Sequence, residues 1–310
     1  MNKTLLKSVR EYKKQSVLAP FFVILEVLME VLIPMEMAKI IDVGIMQGNL
    51  SYIVRRGLIL VIMAMLALYF GIIAGKMAAI AGAGYAKNLR HDIFYKVQEF
   101  SFKNIDHFST SGLVTRMTTD ITNVQMAYMM SIRLLARAPI MILLSWIMTL
   151  LINVKIALLF LIVIPLLGGT LIFIAKKAHP NFIKVFDEYD ELNNSVQENV
   201  NASRVVKAFV REEHEISKFH GVSNYVYTLF TKAEKIVAWN APVMQFMMYA
   251  VVLLIALIGG KSIVFGTMET GELTSVIVYA LQILMSLNMV TFVFVMIMIA
   301  EASSDRIAEV

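Results

Sequence analysis

Five stretches of this chain contain no aspartate, glutamate, lysine or arginine, and this absence restricts the fold more than any other feature. They cover residues 57–75, 138–154, 156–175, 236–260 and 273–300. Each is close to, or somewhat longer than, the ~17–25 residues that an α-helix needs to cross about 30 Å of hydrocarbon. Charged residues make up 16% of the chain and hydrophobic residues 58%, whereas soluble domains contain about 25% and about 45–50%. The sequence therefore predicts a membrane protein.

A sixth apolar stretch, residues 17–46, is equally long but carries charges, among them Glu26, Glu30 and Glu36. We therefore expect an all-α membrane protein with six transmembrane helices. The predicted spans are residues 17–46, 57–82, 134–152, 156–178, 236–265 and 273–300. The chain has no cysteine, which excludes disulfides and thiolate metal sites.

The connections between the predicted spans alternate in length, and the positive charges follow the same alternation. Two connections, residues 76–137 and 176–235, are long and polar, while the others are short. Most of the 28 lysines and arginines lie in the N-terminal tail or in these two connections. Because loops rich in lysine and arginine stay on the cytoplasmic side, both termini and both long connections are predicted to be cytoplasmic.

The first sixteen residues form a basic segment ahead of the first span. Leu5, Leu6 and Val9 alternate with lysines and an arginine in a pattern typical of an amphipathic helix. We expect residues 1–16 to form an elbow helix on the inner leaflet, with residues 17–310 forming the six-helix domain. The alternative is a solvated basic tail.

Both long connections place apolar residues among charges at broadly helical spacing, and each is centred on a patch of small polar residues. We expect the transmembrane helices to continue into the cytoplasm as two helical hairpins. An arm of about 27 residues would reach roughly 40 Å. A simple channel or secondary transporter seldom needs such arms.

Two apparent catalytic motifs fail on inspection. Residues 259–262 read GGKS, like the end of a phosphate-binding loop, but Ile255 stands where that motif needs glycine. His214 and Glu215 begin a zinc-protease string, but Lys218 stands where its second histidine belongs. The sequence therefore predicts neither a catalytic nor a metal site.

Glu26 and Glu30 lie four residues apart on one face of the first predicted span. An ionised carboxylate that faces lipid is costly, so both should face the bundle interior or a water-filled cavity. We expect them to line a polar chamber that accepts cationic or polar substrates. The alternative is that they are protonated, or hydrogen-bonded to a neighbouring helix, and only fix packing.

Other polar, aromatic or methionine side chains inside the spans are further candidates for the cavity lining. Methionine is flexible and polarisable, which suits varied apolar ligands, although a methionine stripe also forms ordinary helix packing. The candidates are Trp146, Gln245, Tyr249, Gln282, Met285 and Met289.

The sequence becomes specific at the tips of the long connections and at its end. Residues 108–125 read FSTSGLVTRMTTDITNVQ, residues 196–219 read VQENVNASRVVKAFVREEHEISKF, and the chain closes with AEASSDRIAEV. These segments resemble the transmembrane domain of ATP-binding cassette (ABC) exporters of the multidrug type. That family carries, in this order, the strings S-x-G-x-L-x-x-R-x-T-x-D, R-V-V-K-A-F-x-R-E and A-S-x-x-R-I. Here Ser111 replaces the glycine of the first string, and Gly112 follows one place later.

The resemblance implies the ABC exporter fold, in which each tip carries a short coupling helix that docks into a groove on a cytoplasmic nucleotide-binding domain. By position, the two coupling helices should fall near residues 112–117 and 206–211. The residues expected to form them are Ser111, Gly112, Leu113, Arg116 and Asp120 at the first tip, and Arg204, Val206, Lys207, Phe209 and Arg211 at the second. The alternative is a pair of solvated hairpin ends without a partner.

The local sequence of the tips agrees with this interpretation. Ser109 or Ser111 can cap a helix start, and Gly112 permits a sharp turn after the arm. Arg116 and Asp120 are spaced to pair across one helical turn. Phe209 is an apolar residue in a polar tip, as docking requires.

A departure from the family pattern limits the activity expected of this chain. A linker and a nucleotide-binding domain normally follow the A-S-x-x-R-I string, whereas this sequence stops at Val310 and contains no Walker or signature motif. We expect the chain itself not to hydrolyse ATP, with ATP and Mg²⁺ bound in domains outside it. The position of the closing string favours a membrane half separated from a longer polypeptide over a cassette carried by another chain.

The first tip also resembles the T-S-S-L-x-T-R-x-T-x-D variant of bacterial heteromeric exporters, although Gly112 stands where that variant has serine. The resemblance thus implies a bacterial inner-membrane protein paired with a second exporter subunit, in a heterodimer rather than a homodimer. Its other partners would be nucleotide-binding domains and the lipid bilayer, and not nucleic acid. The expected function is ATP-driven efflux of hydrophobic or amphipathic compounds. The alternatives are an ion-coupled secondary transporter and a membrane receptor with helical arms.

Overall fold

The computed structural model describes residues 5–101, 108 and 110–310. Every regular element in these residues is a helix. Six helical segments are long and apolar enough to cross a membrane, by length and composition. The prediction of a six-span, all-α membrane protein is therefore confirmed. The described α-helices are α1 (Lys13–Lys39), α2 (Leu50–Gln98), α3 (Thr110–Thr115), α4 (Ile121–Met130), α5 (Ala136–Ile152), α6 (Val154–Ala208), α7 (Glu212–Ala238), α8 (Asn240–Val264) and α9 (Thr270–Ala308).

Several of these helices run well beyond the apolar stretches that define the spans. The helices α2 and α6 contain 49 and 55 residues, at least twice the ~20 residues needed to cross the hydrocarbon. Two π-helical turns, Arg116–Asp120 and Ser131–Leu135, join α3, α4 and α5 into one continuous rod. No proline or glycine occurs from residue 113 to residue 138 to interrupt it.

Short turns containing glycine precede α2 and α9. Gly48 and Gly266 adopt φ angles of 68° and 70°, which glycine tolerates without steric cost. The side chain of Asn49 accepts a hydrogen bond from the amide of Tyr52, which caps α2. Such short turns make consecutive helices antiparallel neighbours.

A reciprocal capping box begins α9, in which the side chain of Glu272 accepts from the Glu269 amide. The nearby carboxylate of Asp42 raises the pKa of the Glu269 carboxyl group. Asp42 also accepts a hydrogen bond from the Gly271 amide at 2.6 Å. The start of α9 is thus held against the π-helical turn Ile40–Ile45 that follows α1.

The chain divides into two compact units. The first contains residues 1–162 and 251–310, and the second contains residues 163–250. The second unit consists of most of α6, all of α7 and the start of α8.

The N-terminal segment forms a 3-10 helix, Leu5–Tyr12, at the edge of the first unit. Leu5 and Val9 are buried in one cluster with residues of α2 that include Leu89 and Ile93. Part of the apolar face that was expected to meet the inner leaflet is therefore covered by protein.

The helix α9 supports α1 where a proline interrupts the hydrogen bonding of α1. Pro34 has no amide hydrogen, so the carbonyl of Glu30 lacks its usual helical donor. Tyr279 Oη donates to the carbonyl of Val31 at 2.9 Å, and Ser275 Oγ donates to the carbonyl of Pro34 at 2.5 Å. Both hydroxyls are buried, so they hold α9 against this part of α1.

We expect Tyr279→Phe to lower the free energy of unfolding by about 1 kcal/mol, because it removes one buried hydrogen bond while keeping the ring. Thermal unfolding in lipid nanodiscs measures the change. Tyr69→Phe is the matched control, since the Tyr69 side chain is exposed on α2 and its variant should unfold like the wild type. Equal stability of all three proteins would contradict the role of the Tyr279 hydroxyl.

Candidate functional site

The first tip is the beginning of the α3–α5 rod. Ser109 lies outside the described residues, and so does the side chain of Ser111. Gly112, which the sequence placed at a sharp turn, lies within α3 instead. Leu113 is half-buried near the start of the rod. Residues 112–117 thus lie in α3 and the π-helical turn that follows it, and their role as a coupling helix stays a prediction.

Arg116 and Asp120, which are spaced to pair across one turn, interact electrostatically, but each makes its hydrogen bonds to the end of α9. Asp120 is completely buried, and both of its carboxylate oxygens accept from the guanidinium of Arg306, with Nε at 2.8 Å from Oδ2. Arg116 Nη2 donates to Glu309 Oε2 at 2.6 Å. The end of α9 brings opposite charges against this turn, and a bidentate arginine–carboxylate pair is geometrically the stronger arrangement.

The second tip lies entirely in the second unit. The helix α6 ends at Ala208 and α7 begins at Glu212. Residues 206–208 are therefore the end of α6, and residues 209–211 connect it to α7. Their role as a coupling helix stays a prediction. The predicted tip residues Arg204, Lys207, Phe209 and Arg211 are exposed, and Val206 is partly exposed.

Val210 holds the second tip in an unusual backbone conformation. Its φ is 51°, in the left-handed region where glycine normally ends a helix and where a β-branched residue is strained. The Arg211 amide donates to the carbonyl of Val206 at 3.0 Å, which closes the end of α6. Phe209 and Val210 are 73% and 82% exposed. The turn thus displays two adjacent apolar side chains at the end of two long helices.

Polar contacts join α6 to α7 next to this tip. Asn199 Nδ2 donates to Glu215 Oε2 at 2.9 Å, and Lys218 Nζ lies 3.1 Å from Glu198 Oε2. These contacts are at the surface, where an ion pair contributes about 0–1 kcal/mol. They align the two helices more than they stabilise them.

The two acids of the first span share one arginine. Arg137 Nη1 lies 2.6 Å from Glu26 Oε1, and Arg137 Nη2 lies 2.6 Å from Glu30 Oε2 and 2.8 Å from Glu30 Oε1. Glu26 is buried, and Glu30 and Arg137 are partly buried. The acids are therefore hydrogen-bonded to a neighbouring helix. Whether they also line a substrate chamber stays a prediction.

Gly71 of α2 makes room for this cluster. A Cβ atom at residue 71 would lie 3.1 Å from both Cδ and Oε1 of Glu26, tighter than ordinary van der Waals contact. The other carboxylate oxygen of Glu26, Oε2, is buried without a hydrogen-bond donor among the described residues. The close approach of α2 therefore covers one side of the Glu26 carboxylate.

The remaining cavity candidates have varied environments. In the first unit, Gln282 Oε1 accepts from Ser145 Oγ at 3.0 Å, and Trp146 Nε1 donates to the carbonyl of Ala157 at 3.0 Å. Met285 is exposed, whereas Met289 is partly exposed. In the second unit, Gln245 Nε2 donates to Tyr249 Oη at 2.8 Å, and both residues are exposed. The described residues contain no cluster of three or more histidine, aspartate or glutamate side chains suited to a metal ion.

The sequence did not indicate three of the charged partners described above, which are Arg137, Arg306 and Glu309. Charge counting assigned Arg137 to a polar connection, although the predicted span 134–152 already included it and gave a signal that it lies at membrane depth. Arg306 and Glu309 belong to the closing string, whose spacing gave no indication of contact with residues almost two hundred positions earlier.

Comparison with known proteins agrees with this architecture. Residues 16–287 match the family model for the ABC transporter transmembrane region. The ABC transporter ATP-binding protein YfiB of Bacillus subtilis (strain 168) is 31% identical over 305 residues, which cover 98% of this chain and 53% of YfiB. The ABC transporter ATP-binding protein MT1311 of Mycobacterium tuberculosis is 27% identical over 306 residues, which cover 99% of this chain and 53% of that protein.

A third relative has a more specific name. The ATP-dependent lipid A-core flippase of Desulfotalea psychrophila is 26% identical over 190 residues, which cover 61% of this chain and 33% of the flippase. This chain spans about half the length of YfiB and MT1311. Because the family model covers most of the sequence, including the regions of both tips, the chain belongs to the family of ABC transporter transmembrane regions.

Proposed function

We propose that this chain is the membrane-spanning half of an ATP-driven exporter, which forms the substrate pathway and receives the motion of cytoplasmic nucleotide-binding domains. The observation that carries this proposal is the second tip. Phe209 and Val210 are exposed there on a strained turn, at the end of helices much longer than a membrane span. An exposed apolar pair in a polar setting is a surface for a protein partner.

The relatives support the identity of that partner. YfiB and MT1311 are named ABC transporter ATP-binding proteins, and each is nearly twice as long as its segment that matches this chain. The nucleotide-binding domains would hold ATP and Mg²⁺ and contact both tips. This contact requires both tips to lie in the cytoplasm, and the distribution of lysine and arginine favours that side for both tips and both termini. The sequence of the first tip supports a heterodimer with a second exporter subunit in a bacterial inner membrane.

The proposed substrate is a hydrophobic or amphipathic compound. The name of the lipid A-core flippase gives an amphipathic substrate for one relative. In this chain Tyr249 and Met285 present large exposed side chains within predicted spans. The carboxylates of Glu26 and Glu30 would supply negative charge for polar or cationic groups once Arg137 is displaced or shared.

We expect Phe209→Ala to reduce ATP-driven transport by about tenfold in the full-length protein, meaning this chain with its nucleotide-binding domain. Burial of a phenylalanine side chain contributes about 1.5–3 kcal/mol, and each 1.4 kcal/mol changes a binding constant about tenfold. Uptake of a fluorescent amphipathic dye into inside-out vesicles measures transport.

Val200→Ala is the matched control, because Val200 is exposed on the same arm two turns before the tip. That variant should transport like the wild type. An equal loss in both variants, or unchanged transport by Phe209→Ala, would argue against docking at this tip. Uptake driven by a proton gradient without ATP would overturn the proposed function and favour the ion-coupled alternative.

A further inference from the structure

Three polar bridges join the end of α9 to the first part of the α3–α5 rod. Asp120 accepts from Arg306, Arg116 donates to Glu309, and Asn123 Nδ2 donates to Ser303 Oγ at 3.2 Å. On the rod, residues 116, 120 and 123 follow helical spacing along one face. On α9, their partners follow the same face in the opposite chain direction. The bridges therefore form a ladder between two antiparallel helices.

The central rung of this ladder joins a buried carboxylate to an arginine side chain that is 50% exposed. The Asp120 side chain has no exposure to solvent, and Ser303 beside it is 1% exposed. Arg306 also reaches Ser303 Oγ at 3.4 Å, so the buried carboxylate, the guanidinium and the hydroxyl form one network. The outer rung is more open, since the Glu309 side chain is 60% exposed.

Apolar packing already holds these helices together without the ladder. Ile307 is buried in one cluster with Ile121 and Val124. The Asp120–Arg306 pair, with a buried carboxylate and a half-exposed arginine, adds little net stability relative to apolar side chains, because the cost of desolvating the carboxylate offsets the attraction between the charges. Its distinctive effect is geometric. Sliding α9 along the rod by one helical turn, about 5.4 Å, would break all three bridges at once while leaving one apolar surface against another.

We propose that Asp120 and Arg306 are positioning residues that fix the register between the first tip and the end of the last helix. This inference rests on the proposed function, in which nucleotide-binding domains contact the first tip, and on the family pattern, in which such a domain follows the closing A-S-x-x-R-I string. With the register fixed, both attachments move as one body, and the motion of the nucleotide-binding domain reaches the α3–α5 rod without slipping. Without it, ATP hydrolysis continues but drives less transport.

A double-mutant cycle in the full-length protein tests this role. The variants are Asp120→Leu, Arg306→Met and the double variant, in which apolar side chains replace the buried carboxylate and its arginine partner so that no buried charge is left unpaired and the protein still folds. We expect the transport rate per ATP hydrolysed to fall about tenfold in the double variant, with ATP hydrolysis within about twofold of the wild type. Each single variant should lose no more transport per ATP than the double variant. Thr122→Ala is the matched control, because Thr122 is exposed on the same rod and its hydroxyl donates to the Thr118 carbonyl of that rod rather than to α9, and it should change this ratio less than twofold.

A structural readout separates this proposal from the proposed function. The chain has no cysteine, so Thr119→Cys and Asp305→Cys, both at exposed positions, accept nitroxide labels selectively. Dipolar broadening of the spectrum should give one short distance in the wild-type background and a longer or broader distribution in the double variant. Unchanged broadening in the folded double variant, or an unchanged transport-to-ATP ratio, would overturn the positioning role. Changed broadening in a protein that never transports would refute the proposed function alone.

Discussion

Arg137→Leu is expected to destabilise the first unit by about 3–5 kcal/mol, the cost of leaving buried charge without its partner. Arg137 donates to both Glu26 and Glu30. Its loss therefore leaves two carboxylates, one helical turn apart in the same span, without the arginine that they share. Like charges this close repel each other, and the low dielectric around them strengthens the repulsion. Thermal unfolding in nanodiscs, together with the yield of monodisperse protein, measures the effect.

Two control variants test whether this loss of stability comes from the contacts of Arg137 with Glu26 and Glu30. Arg133→Leu removes an exposed arginine one turn earlier on the same rod and should cost less than about 1 kcal/mol. Adding Glu26→Leu and Glu30→Gln to Arg137→Leu removes both unpaired carboxylates and should restore most of the stability. If the triple variant were as unstable as Arg137→Leu alone, unpaired charge would not be the cause.

The sequence predicted the helices of this protein better than their side-chain contacts, for a physical reason. A charge-free stretch long enough to cross the membrane leaves the backbone little choice but a helix, so five of the six spans follow from composition alone, and the first follows from an equally long apolar stretch despite its charges. The partner of Glu26 does not follow in this way, because Arg137 lies more than a hundred residues later. Only the packing of two helices determines that they meet.

At the first tip, too, spacing along the sequence does not determine which charged residues form ion pairs. The spacing of Arg116 and Asp120 satisfied the rule for an intrahelical pair, yet both residues pair with α9. Local spacing identifies which contacts are possible, and burial decides among them. A completely buried carboxylate such as Asp120 requires a strong partner, and a bidentate guanidinium supplies more hydrogen bonds than a neighbouring arginine on the same helix face.

At the second tip, the rules that locate helix ends from glycine and proline do not find the end of α6. Apolar Phe209 in a polar segment indicated an exposed docking residue, and the structure places it at the surface. The sequence did not indicate that α6 would continue to Ala208 and end in a left-handed Val210. Glycine is the usual residue at such a position, so a rule based on glycine and proline finds no helix end there.

Gly271→Ala is expected to lower the free energy of unfolding by about 1–3 kcal/mol, the typical cost of overpacking. A Cβ at residue 271 would lie 2.5 Å from the carbonyl oxygen and 2.8 Å from the Cα of Ala38, and 2.6 Å from Asp42 Oδ2. Two of these atoms belong to the backbone of α1, which cannot rotate away as a side chain can. The helix α9 would have to move outward, and the hydrogen bond from the Gly271 amide to Asp42 would be weakened or lost.

Gly260→Ala is a control with the opposite expected sign. Gly260 lies in α8, and a Cβ there would meet no atom within 4 Å, so replacing glycine by alanine in the helix should stabilise the protein by about 0.5–1 kcal/mol. Asp42→Ala separates the lost hydrogen bond from the steric clash and should cost about 1 kcal/mol. If Gly271→Ala cost no more than Asp42→Ala in thermal unfolding, the close backbone approach of α9 to α1 would not be a constraint. A larger cost for Gly271→Ala would show that the contact between the two backbones itself limits residue 271 to glycine.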